Sequence, residues 1–187
     1  YPFDLKNGVL VHGCGSVGKM VAIDLVKKGI KTFVVDKDTN KTNIPGTISL
    51  GNDKKWYKAN FDVLFPCSIS GLIDTQIAQF LLNKKAIIPA ANAPFASNVI
   101  FKKLIDSKVV IIPDPLVNAG AVIADSIERY APNAWNQVSS GKVYEFVTDT
   151  VRKKCFTFLS LTQSGLSSEE VLQLIKDEQG AIIGETF

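Results

Sequence analysis

Gly13, Gly15 and Gly18 are spaced as G-x-G-x-x-G, with Cys14, Ser16 and Val17 in the variable positions. That spacing answers the needs of a diphosphate. Gly13 permits a tight turn, Gly15 lets main chain approach phosphate oxygens, and Gly18 lets the next helix sit close to the preceding strand. Asp36 follows about 20 residues further on, where the hydroxyls of an adenosine ribose need an acceptor. Its charge would repel a 2′-phosphate, which favours NAD over NADP. Lys37 and Lys41 work against that preference, since either offers a phosphate a positive charge. The alternative is a glycine turn that binds nothing.

The flanking sequence supplies the elements that this chemistry requires. Val9, Leu10 and Val11 form an apolar run suited to a strand buried on both faces. Val17, Met20, Val21, Ile23, Leu25 and Val26 predict an amphipathic helix with these residues on its inward stripe, ended by Gly29. Thr32 to Val35 reads as a second strand carrying Asp36 at its end. Further strands are predicted within 44–50 and over 62–67, 86–88 and 109–112. A helical turn falls within 54–60, and helices cover 73–82 and the stretch from a Ser97 cap to Asp106. Strands alternating with helices specify an α/β fold, a doubly wound parallel sheet of Rossmann type. Beyond it come a helix over 118–130 and a long helix over 135–161, with Val143, Phe146, Val147, Val151, Cys155 and Phe158 on one side. A last helix opens at a Ser167/Glu170 capping box stapled by Leu166 and Val171, completing a C-terminal helical extension. The expected boundary puts a dinucleotide-binding domain at 1–131 and the helical tail at 132–187.

In such sheets ligands bind beyond the carboxyl ends of the strands. The candidates are therefore Cys14 to Val17, Asp36, Ser68 to Gly71, Asn92 and Asn118. They include no His–Asp pair, activated serine, metal cluster or helically spaced carboxylate pair, so they suit holding a cofactor and not acid–base catalysis. The 187 residues are 46% hydrophobic and 21% charged, ordinary for a soluble globular chain. A formal charge of +3 without a basic block gives no reason to expect nucleic acid as a partner. No apolar run approaches a membrane span, and the N-terminus lacks a signal-peptide layout. Cys14, Cys67 and Cys155 are too scattered for a disulfide framework or zinc site, and fit a reducing, cytoplasmic compartment. His12, the only histidine, is expected as a packed strand residue and not a base. The sequence starts at Tyr1 and its one methionine is Met20, inside a predicted helix, so a fragment or processed product is expected.

Four blocks in order, VHGCGSVG, DVLFPCSISGLID, AIIPAANAP and PDPLVNAGAVI, resemble the nucleotide-binding half of the glutamate/leucine/phenylalanine/valine dehydrogenase family. The similarity covers about residues 5–130 and extends more faintly into the tail. It implies reversible oxidative deamination of an L-amino acid to a 2-oxo acid and ammonia, with hydride passing between the substrate α-carbon and the nicotinamide of NAD or NADP. The resemblance places Gly13, Cys14, Gly15, Ser16, Val17 and Gly18 at the pyrophosphate, and Asp36 at the adenosine ribose; Lys37, next in sequence, joins the cofactor-binding candidates by its charge. It places Cys67, Ser68 and Ile69 against the ribose and nicotinamide, and Asn92 near the nicotinamide ribose. Asn118 falls close to the substrate. Val122 and Asp125 match positions lining the substrate side-chain pocket, where Asp125 would face a polar or cationic group; the plainer alternative puts it on the wet face of its helix.

Three positions depart from the family pattern. Ser70 and Pro89 stand where glycine is usual, and Ala121 replaces the second glycine of the N-A-G-G block, changes that would narrow the cleft. The family's catalytic lysines and aspartate belong to an N-terminal substrate domain whose glycine-rich lysine block is not in this sequence. The resemblance therefore implies no catalytic residue here, an N-terminal domain acting in cis or in trans, and a homo-oligomer as the full-length enzyme. The tail helices would then expose an apolar face towards a domain outside this sequence, or cover it with another chain. A non-catalytic nucleotide-binding or interaction module that keeps the fold is the competing expectation.

Overall fold

The computed structural model of the chain describes residues 4–168 and 170–175. Its strands are β1 (Val9–His12), β2 (Thr32–Val35), β3 (Ile48–Ser49), β4 (Val63–Pro66), β5 (Ala86–Ile87) and β6 (Val110–Ile111). They form one parallel sheet in the order β3-β2-β1-β4-β5-β6. All the predicted strands are present. β1 lies at the centre, with Val9 opposite Thr32 of β2 on one side and Val63 of β4 on the other. The chain leaves β1 towards β2 and returns to β4, so the strand order switches beside β1. That switch opens a crevice at the carboxyl ends of the strands.

Alternate residues of the strands feed two cores. Leu10, Val35, Leu64, Ile87 and Ile111 pack with Trp56, Tyr57, Phe61 and the helices α2 (Thr75–Leu81) and α3 (Asn98–Asp106). Val9, Val11, Val34, Val63 and Ala86 pack on the other face with Ala22 and Leu25 of α1 (Ser16–Lys27). Burial on both faces explains why the strands other than β3, whose two residues are exposed, read as apolar runs and do not alternate. The sheet is doubly wound, as expected.

The phase of α1 differs from expectation. Val17 and Met20 are 55% and 64% exposed, and the helix turns Gly18, Ala22 and Leu25 inward instead. Gly18 sets this phase: a Cβ there would lie 1.8 Å from the Gly13 carbonyl oxygen, so only a residue without one permits the approach. The sequence around Gly18 is apolar on several sides, and its periodicity alone does not single out the stripe. Gly29 closes the helix with φ +72, its N–H donating to the Val26 carbonyl.

Two compact units divide the chain, Tyr1–Asp114 and Pro115–Phe187. The second takes in the helix that the expected boundary at 131 assigned to the first. It contains most of a short α4 (Asp114–Val117), then α5 (Gly120–Tyr130), α6 (Pro132–Gln137) and α7 (Ser140–Gln163). The single helix expected over 135–161 is thus two. Val138 is extended, with ψ 146, and the Ser139 side chain caps α7 by accepting the Lys142 N–H. Along α7, Val143 and Phe158 are buried and Phe146, Val147, Val151 and Cys155 half-buried, so the expected stripe faces inward. The capping box forms: the Ser167 N–H donates to Glu170 Oε2 at 2.8 Å and the Glu170 N–H to Ser167 Oγ at 3.2 Å. Val171 beyond it is buried. Tyr130, Tyr144, Phe156 and Leu174 are exposed in this unit. Among the described residues no helix is long and apolar enough to cross a membrane.

Candidate functional site

β1 runs into a turn that only glycine can make. Gly13 has φ +94, and a Cβ there would come within 2.6 Å of Ser68 Cβ. The Gly13 N–H donates to the Val35 carbonyl at 2.8 Å, tying the turn to β2. Gly15 caps α1 with no side-chain bond, and the first helical turn carries no acidic residue. An added Cβ at Gly15 would meet nothing within 4 Å. The positive end of α1 therefore opens onto free space, with Ser16 and Val17 exposed beside it. This geometry fits a pyrophosphate: two glycines are fixed by crowding and the third leaves room.

Asp36 is drawn into this turn. It is only 9% exposed, and its Oδ2 accepts the Cys14 N–H at 2.6 Å while Oδ1 accepts the Asp38 N–H at 2.9 Å. Burial opposes its charge, but those two N–H donors, with Lys41 nearby, outweigh it and hold the carboxyl below its ordinary range. An ionised carboxylate keeps lone pairs beyond the two in use, enough to accept from ribose hydroxyls. Lys37 and Lys41 are exposed next to it.

The main chain of Cys14 thus faces the acid, while its thiol is buried, 3% exposed, and pushed up to about 11 by burial. Cys67 packs against the same core, with its thiol pushed up to about 12 by burial and then by Cys14. Both are free thiols, as is Cys155. Ser68 and Ile69 are exposed after β4, Ile69 by 64%. His12 Nδ1 and Ser68 Oγ are hydrogen-bonded at 2.8 Å, and the His12 ring lies 4.7 Å from that of Trp56. Burial lowers the imidazole pKa to about 4. A neutral, packed His12 agrees with the sequence expectation.

Asn92 is exposed after β5, and the Ser70 hydroxyl donates to its carbonyl at 2.8 Å. Asn118, Val122 and Asp125 fall in the second unit: Asn118 precedes α5, and Val122, 68% exposed, shares an exposed face of α5 with Asp125. Sequence reasoning missed the Asp38 amide, the His12–Ser68 bond and the role of Ser70. None carries a motif; each follows from strand ends that the topology brings together. Among the described residues no cluster of His, Cys, Asp and Glu could hold a metal ion.

Comparison with known proteins matches this geometry to a family. The pattern of the glutamate/leucine/phenylalanine/valine dehydrogenases matches residues 6–168. A phenylalanine dehydrogenase of Caldalkalibacillus thermarum is 33% identical over 131 residues, covering 66% of this chain and 35% of that protein. An NADP(+)-dependent glutamate dehydrogenase of Pyrobaculum calidifontis is 28% identical over 154 residues, covering 68% of this chain and 36% of that protein. In three dimensions, L-tryptophan dehydrogenase from Nostoc punctiforme superposes with a TM-score of 0.73 at 21% identity, over 91% of this chain and 51% of that one. The chain spans only about a third of the length of the first of these relatives. With the fold, the glycine turn and the family pattern in agreement, the chain belongs to the glutamate/leucine/phenylalanine/valine dehydrogenase family.

Proposed function

We propose that this chain is the cofactor-binding portion of an NAD-dependent amino-acid dehydrogenase, which oxidatively deaminates an L-amino acid to a 2-oxo acid and ammonia. The observation that carries it is the open space over Gly15 beside an ionised Asp36 hydrogen-bonded to the same turn. The amides from Gly13 to Gly18 hold the pyrophosphate, and Asp36 accepts from the adenosine ribose. Cys67, Ser68, Ile69 and Asn92 flank the nicotinamide half; family resemblance assigns Asn118 and Val122 to the substrate, with Asp125 beside Val122 on an exposed face of α5. Nicotinamide, when bound, supplies the acceptor for the hydride that leaves the substrate. The catalytic lysines and aspartate come from an N-terminal substrate domain in cis or in trans, and the complete enzyme is a cytoplasmic homo-oligomer.

Calorimetric titration of the chain with NAD and with NADP tests this. NAD binds more tightly. Asp36→Ala weakens NAD roughly tenfold through lost ribose bonds. Asp36→Asn, which keeps an acceptor for Cys14 but not the charge, brings NADP closer to NAD. The chain alone shows no deamination. Failure of both nucleotides to bind the wild-type chain would overturn the proposal.

A further inference from the structure

Ala93 is one of two described residues other than glycine with positive φ, at +44, a conformation that a Cβ makes costly. The peptide joining it to Asn92 is held at both ends. Its carbonyl, that of Asn92, accepts the Ser70 hydroxyl at 2.8 Å; its N–H, that of Ala93, donates to Asp114 Oδ2 at 2.9 Å. Main chain continues the clamp, with the Gly71 N–H on the Ala93 carbonyl and the Ile73 N–H on the Pro94 carbonyl, both at 2.8 Å. Ile73 also bridges Phe95 in parallel. Rotating the Asn92–Ala93 peptide would break both side-chain bonds at once.

The place of this peptide in the sheet gives the clamp a use. The glycine turn stands at the end of β1 and Asp36 at the end of β2, so both serve one side of the strand-order switch. A dinucleotide with its diphosphate at that turn and its adenosine at Asp36 must lay its second nucleoside over the ends of β4 and β5. Ser70 follows β4 and Asn92 follows β5. The geometry points to Ser70 and Asp114 as positioning residues: they fix the Asn92–Ala93 peptide plane and so aim Asn92 at the nicotinamide riboside. A glycine at position 70, which the family pattern leads one to expect, has no hydroxyl for this task. The inference rests on the cofactor reading above and adds two residues to it.

The test compares NAD with ADP, which lacks the nicotinamide riboside, by calorimetry on the 187-residue chain. Ser70→Ala and Asp114→Ala each weaken NAD by roughly threefold to tenfold, the worth of one hydrogen bond, and leave ADP affinity unchanged. Ser70→Thr and Asp114→Asn, which retain a hydroxyl and a carbonyl acceptor, restore NAD binding. Unchanged NAD affinity in both alanine variants overturns the positioning role while leaving the cofactor reading intact. Equal losses for NAD and ADP overturn it too, since they mark a general structural defect. Absence of NAD binding in the wild type overturns the cofactor reading and this inference with it.

Discussion

Asp36 and Cys14 form one hydrogen-bonded unit: the carboxylate at the end of β2 takes the amide from the middle of the glycine turn at 2.6 Å. A charge-assisted bond of this kind contributes about 1.5–3 kcal/mol. The acid therefore shapes the turn with no ligand present, and its loss disturbs the glycine turn as well as the end of β2.

Gly15 and Gly18 separate binding from folding. Gly15→Ala places its Cβ in open space on a backbone with φ −67, so thermal stability stays within a degree or two of wild type while NAD affinity falls. Gly18→Ala drives a Cβ to 1.8 Å from the Gly13 carbonyl and costs several kcal/mol, ~3 or more on the scale of severe core strain. Thermal melting and NAD titration of both variants check this; equal destabilisation by the two would count against it.

His12 makes stability depend on mild acid. Burial, the largest influence, and Lys54 lower its pKa from 6.5 to about 4, against an opposing pull from Asp36. Above pH 6.5 neither state holds the proton and the contribution is complete. Between pH 6.5 and about 4 the unfolded chain binds a proton that the folded chain does not, and up to roughly 3 kcal/mol is lost. Urea denaturation from pH 7 to 4 shows this loss in the wild type and a flatter profile in His12→Gln.

Asp62 works at lower pH. It is 5% exposed and accepts the Asn7 main-chain N–H at 2.7 Å and the Asn7 amide at 3.1 Å, with Lys85 Nζ 3.5 Å away. Burial opposes its charge, but these donors outweigh it and hold the carboxyl below the ordinary 3.8. Its contribution is complete above pH 3.8 and disappears as pH falls through the depressed value. Asp62→Ala strands the Asn7 donors and costs about 2 kcal/mol, measured by denaturation at pH 7.

Burial raises the pKa of all three thiols and slows their reaction in the folded chain. With Cys14 at about 11, Cys67 at about 12 and Cys155 also raised by burial, the thiolate fraction at pH 8 is very small. A disulfide-exchange reagent labels the native chain slowly and the denatured chain at once. Rapid labelling of a native thiol would contradict the burial described.

Apart from β3, whose two residues are exposed, the strands were legible because each is a short apolar run with Gly, Pro or Asp near one end or both, and a strand buried on both faces leaves no other pattern. The glycine turn and Asp36 were legible for the same local reason. What escaped depends on partners distant in sequence. α1 turns Gly18 and Ala22 inward because contact with Gly13 sets its phase, and no window confined to the helix contains that contact. The break at Val138 was marked by a usable cap, Ser139, which a continuous apolar stripe through Val143 concealed. The bonds of Ser68 and Ser70 join strand ends that only the topology makes neighbours.

The crowding of Gly13 by Ser68 joins stretches far apart in sequence; the neighbouring His12–Ser68 bond spans 56 positions. A nascent chain that has emerged only as far as β2 contains the whole fingerprint, yet not the wall that seats it. The glycine turn is thus complete in synthesis only once β4 has docked against β1. Loss of β4 from β1 unseats the turn in the same step, and a nucleotide bound as proposed would oppose that loss.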